Sequence, residues 1–112
     1  MSLLYDGVRA FAAGAAASCV IYGAVAAMPT ETHITIDNFS FKAATVTVPA
    51  GTTVVWENGD DIAHNVVALD GTFRSQALDT EDKFSFTFAT AGTYEYFCSL
   101  HPRMKGEIVV TP

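Results

Sequence analysis

The chain has 112 residues, of which 50% are hydrophobic and 16% charged, with 6 basic against 12 acidic residues for a net charge of −6. So apolar a composition excludes a disordered tail, and so short a chain excludes more than one small folded domain. Net acidity excludes nucleic-acid binding through a basic face, and no internal repeat is visible.

The first segment differs in kind from the rest. Residues 10–28 read AFAAGAAASCVIYGAVAAM, an uncharged, alanine-rich run flanked by Arg9 and Glu31. It ends in Ala24-Val25-Ala26-Ala27, which supplies the small residues of a signal-peptidase site. We expect residues 1–27 to be a signal peptide, with retention as an N-terminal membrane anchor as the alternative, since a span needs ~20 apolar residues. Residues 28–112 are then the folded domain, periplasmic or otherwise exported, and in contact with a membrane only if the leader is kept. That domain holds one cysteine, Cys98. A single thiol in an oxidising compartment has no internal partner, so it is buried and inert, pairs with another chain, or binds something. With a retained leader, Cys19–Cys98 pairing is the other possibility.

From Pro29 onward the apolar residues recur at period 2. His33 to Ile36 alternates, with His33 expected to face solvent. Thr45 to Val48 alternates and stops at Pro49-Ala50-Gly51, a sequence suited to a type I turn. Thr52 to Glu57 resumes with Val54 and Trp56 on one face, and Asn58-Gly59-Asp60-Asp61 breaks it as a solvated turn. His64 to Leu69 is a short apolar run. Residues 71–82 lack alternation and read as a surface excursion. Lys83 to Phe88 puts Phe84, Phe86 and Phe88 on one face, Thr93 to Cys98 does the same for Tyr94, Tyr96 and Cys98, and Gly106 to Thr111 closes the chain. About seven or eight short strands without a helix predict an all-β sandwich or barrel.

The chemistry is concentrated after the Tyr94–Cys98 strand. Cys98, His101 and Met104 form the spacing C-x-x-H-x-x-M, offering a thiolate, an imidazole and a thioether from one tight loop. His64, which opens its own run after the acidic turn, is the natural second imidazole. Two imidazoles, a thiolate and a weak thioether make a poor zinc site, because zinc prefers four good donors in a tetrahedron. Soft sulfur together with imidazole suits copper in both oxidation states, and this donor set is the one known from blue-copper electron-transfer sites.

With Trp56, His64-Asn65-Val66, Ala91-Gly92-Thr93-Tyr94-Glu95-Tyr96 and the C-x-x-H-x-x-M loop in order, the sequence resembles the small type 1 (blue) copper proteins of the plastocyanin/amicyanin group, and among them most nearly the amicyanins, whose ligand loop is short. The resemblance implies a cupredoxin-like Greek-key sandwich binding one type 1 copper per chain. It makes His64, Cys98 and His101 the equatorial ligands and Met104 the axial one. It also implies that the Asn65 N–H donates to the Cys98 sulfur while the Asn65 side chain ties its loop to that around Ser99. The function implied is one-electron transfer, without an enzymatic reaction, by a monomer. Its redox partners, such as a c-type cytochrome or a dehydrogenase, would dock weakly around His101, near Ile62, Ala63, Leu100 and Pro102. A copper-delivery protein using the same ligands is the alternative. An enzyme with a second, catalytic copper is excluded, since three histidines are too few. Arg103 stands where amicyanins carry an aromatic residue and Leu100 where they carry proline, and Lys105 adds a charge. The amicyanin dehydrogenase partner therefore does not transfer, and an acidic-faced partner is expected instead.

Overall fold

The computed structural model describes residues 30–112; the expected leader, residues 1–27, and Cys19 lie outside them. Among the described residues every regular element is a strand. They are β1 (Glu31–Asp37), β2 (Ser40–Lys42), β3 (Thr45–Pro49), β4 (Thr52–Asn58), β5 (Val67–Ala68), β6 (Lys83–Phe88), β7 (Gly92–Cys98) and β8 (His101–Thr111). They form two four-stranded sheets, ordered β2-β1-β4-β6 and β3-β8-β7-β5. The chain switches sheets after β2 and on each connection from β3 through β7. This is why β1 and β4 pair in parallel, as do β3 and β8, in an otherwise antiparallel molecule. The all-β expectation holds, and of its two forms the structure is the sandwich.

Alternation in the sequence becomes the two faces of each strand. Ile34 and Ile36 of β1, Val54 and Trp56 of β4, Phe88 of β6, Tyr96 and Cys98 of β7, and Ile108 and Val110 of β8 are all buried between the sheets. Trp56 is the centre of the packing, with ring centroids of Phe73, Phe84 and Tyr96 at 5.6, 5.7 and 5.4 Å. Phe84 and Phe86 are only partly buried, because β6 is an edge strand.

Three expectations need correction. The run from His64 to Leu69 is not a continuous strand: only Val67 and Ala68 enter a ladder, while His64 pairs with Leu78 as an isolated bridge. Residues 71–82 are more than a surface excursion. Phe73, Ser75 and Leu78 are buried, and backbone bonds from His64 N to Leu78 O (3.1 Å), Leu78 N to His64 O (2.7 Å) and Ser75 N to Val66 O (2.8 Å) lash this segment along residues 64–68. Its apolar residues are too irregularly spaced to show a period, yet it closes one side of the core. The last strand starts at His101, not Gly106, so the ligand loop is a two-residue reversal between β7 and β8.

One hairpin escaped the sequence reading. β1 and β2 are joined by Asn38 and Phe39 alone, with φ of 52° and 57°. Two left-handed residues make the primed turn that matches strand twist, but the usual sequence is Asn-Gly. Phenylalanine in that place costs about 1–2 kcal/mol of backbone strain.

Tyr96 is fully buried, and neither its hydroxyl nor Trp56 Nε1 has a hydrogen-bond partner among the described residues. Burial pushes the Tyr96 phenol up to about 12 from its ordinary value of 10.0. The unfolded phenol ionises first, so the stability tied to this group is whole below pH 10 and is lost as pH rises toward 12. The loss amounts to about 2–3 kcal/mol. Urea unfolding of the metal-free protein at about pH 9 and 11.5 should show it, and Tyr96→Phe should remove that part of the alkaline decline; equal declines in both proteins would refute the assignment.

Candidate metal centre

The site lies at one end of the sandwich, where the β4–β5 connection meets the β7–β8 reversal. Asn58, buried at the end of β4, organises the first of these segments. Its Nδ2 donates to Ile62 O and to Leu78 O (both 2.9 Å), and its Oδ1 accepts from Asp60 N (2.9 Å). The turn that leaves β4 is thereby bent inward, and His64 enters the core with no exposed surface. Cys98 is the last residue of β7 and His101 the first of β8, paired across the reversal at a ladder irregularity.

These elements bring three donors together. His64 Nδ1, Cys98 Sγ and His101 Nδ1 lie within 4.8 Å of one another. The sulfur is 3.8 Å from each Nδ1, with the Cys98 side chain buried and His101 half-buried. Nitrogen and sulfur bonds of roughly 2.0 and 2.3 Å, opened to about 120°, separate their donor atoms by about 3.7 Å. The donors are therefore spaced for one ion among them. Met104, three residues along β8, is 5% exposed and lines a cavity of about 470 Å³ with His101, Phe39, Leu100, Pro102 and Arg103. The arrangement fits a type 1 copper site.

The surroundings hold this geometry. Asn65 N donates to Cys98 Sγ (3.4 Å), Asn65 Nδ2 donates to Ser99 Oγ (2.7 Å), and Ser99 N donates to Asn65 Oδ1 (2.7 Å). The two ligand-bearing segments are thus cross-tied as the resemblance implied. Such contacts orient metal ligands and tune a bound ion.

Asp60 is the residue the sequence reading missed. It is not a solvated turn residue. Its side chain is 11% exposed, and its Oδ2 lies 2.8 Å from His64 Nε2. Its two oxygens also accept the backbone N–H groups of Asn38 (2.6 Å) and Phe39 (2.9 Å). The Phe39 N–H foremost, then that of Asn38 and the His64 ring, hold the Asp60 carboxyl below the usual carboxylate range against the opposing effect of burial. A carboxylate only accepts, so Nε2 is the donor of that bond, and the other ring nitrogen, Nδ1, is the one that faces Cys98. The acidic pair did flag this turn, but only the fold shows which carboxylate turns inward. Asp61 is exposed, and His33, bonded to Glu31 (3.1 Å), is 62% exposed and apart from the site.

Residues 9–110 match the family model described as a cupredoxin-like domain. Amicyanin of Paracoccus versutus is 36% identical over 80 residues, 67% of this chain and 61% of that protein. Amicyanin-alpha of Methylorubrum extorquens is 34% identical over 109 residues, 92% of each. The chain thus spans about three fifths of the first relative and nearly all of the second. A copper(I) structure of an amicyanin mutant superposes with a TM-score of 0.68 at 31% identity, over 70% of this chain and 80% of that one.

Proposed function

The chain belongs to the cupredoxin-like family, and from that premise we propose that it is a one-electron carrier in which His64, Cys98, His101 and Met104 would hold a copper ion. The observation that carries this reading is the buried sulfur set 3.8 Å from two imidazole nitrogens. Bound there, copper supplies a Cu(II)/Cu(I) couple. The protein's part is to hold one donor set for both states. Thiolate and thioether favour the reduced ion, while imidazole accommodates the oxidised one. The Asn65–Ser99 ties and the Asp60–His64 bond keep those donors from rearranging when an electron arrives, which keeps the transfer fast. Burial of His64 and Cys98 excludes water, so no substrate reaches the ion from the inner side.

His101 is the half-buried edge of the site, beside exposed Leu100 and Phe39. In this reading a redox protein docks weakly there, and Arg103 and Lys105 on the adjoining strand favour an acidic face. Its rate of electron transfer should fall as salt rises from about 10 to 300 mM, since screening shortens the Debye length across that range. A rate indifferent to salt would remove the acidic-faced partner. The same reading makes residues 28–112 the working domain, exported behind residues 1–27.

The decisive experiment is the visible and EPR spectrum of the Cu(II)-loaded protein. Strong thiolate-to-copper absorption with a type 1 EPR signal is expected. A colourless Cu(II) complex would favour copper delivery over electron transfer.

A further inference from the structure

Phe39 is 48% exposed, so the hydrophobic core does not account for it. It occupies a left-handed turn position that glycine would fill with less strain. Its aromatic neighbours are the two imidazoles. Its centroid is 5.4 Å from His64 at 90° and 5.0 Å from His101 at 78°, both edge-to-face. The turn beneath it is clamped by Asp60, whose carboxylate also bonds His64. A single side chain therefore sets the ring's place relative to the first imidazole.

The two histidines are not held alike. His64 is anchored through Nε2, whereas His101 makes no hydrogen bond through Nε2 among the described residues. What bounds the His101 ring is Phe39 on one side and the His64 ring, at a centroid distance of 4.9 Å, on another. We propose that Phe39 is a positioning residue, a brace that Asp60 locks over the site and that keeps the His101 imidazole aimed at Cys98. This rests on the copper reading for its purpose, but the brace itself is a property of the polypeptide.

The test is Phe39→Gly, which removes the ring and suits the backbone, so the turn persists. In the metal-free protein, side-chain NMR relaxation should show the His101 ring becoming mobile while the His64 ring stays ordered. In the copper(I) protein, release of the ion to a chelator should accelerate about fivefold, the loss expected of one aromatic pair. Phe39→Trp should restore both. A His101 ring as ordered in metal-free Phe39→Gly as in the parent overturns the proposal, whatever the copper kinetics. If the parent takes up no copper, the electron-carrier reading fails instead, and the metal-free comparison still decides whether Phe39 is a brace.

Discussion

Cys98→Ala is expected to abolish the visible absorption of the Cu(II) protein while the sandwich remains folded. The donors of the site are unequally exposed. The His101 imidazole, at the half-buried edge, can be replaced in part by water or buffer entering from the surface, but the sulfur, like His64, sits with no exposure between the sheets, where no exogenous donor reaches. Alanine removes one buried atom, a change the core tolerates at a cost of about 1 kcal/mol. Copper affinity should fall by more than the roughly 10–100-fold lost on removing a supporting residue, and the type 1 EPR signal should give way to that of an ordinary imidazole-bound Cu(II). Metal titration and EPR of the variant check this. A variant that keeps its colour would mean Cys98 is the inert buried thiol of the plainer reading.

Gly106→Ala should cost the fold about 3 kcal/mol or more, at the upper end of overpacking penalties and a large share of the 5–15 kcal/mol that holds a domain together. A β-carbon at Gly106 would lie 2.3 Å from Tyr96 Cζ and 2.4 Å from its oxygen. Tyr96 faces Gly106 across β7 and β8, and its ring has nowhere to go. Phe41, Trp56 and Phe73 pack around it with centroids at 4.7, 5.4 and 6.1 Å. Urea unfolding of the metal-free protein measures the loss. In a double-mutant cycle with Tyr96→Leu, most of it should vanish, because the two changes share one space. A cost below about 1 kcal/mol would show that the ring has room to move.

These two positions mark the limits of what a one-dimensional reading conveys. Cys98 was legible because a thiol, an imidazole and a thioether at fixed spacing are chemically distinctive, and because Trp56, His64-Asn65 and the Ala91–Tyr96 run accompany them in order. Gly106 was read only as the start of a strand. Its need for bare backbone comes from a tyrosine ten residues earlier, whose ring leans across the ladder. The strands at Lys83–Phe88 and Gly92–Cys98 were clear because one face is apolar and the other is not. Residues 71–82 were misjudged because a segment that packs through Phe73, Ser75 and Leu78 without joining a regular ladder has no period to detect.

By itself, the order of residues determined the all-β class, the turns at glycine and proline, the four candidate ligands and the kind of ion they suit. Each depends on side-chain chemistry or on spacing within one short stretch. Only the tertiary structure decided that Asp60 turns inward to His64 while Asp61 faces solvent, and that Phe39 lies over both imidazoles. It also decided that the sulfur stands 3.8 Å from two nitrogens. The Cys98–His64 contact joins residues 34 apart in the chain, and even the Asp60–His64 and Cys98–His101 contacts, 4 and 3 residues apart, take their distances from how two twisted sheets pack, which no local pattern encodes.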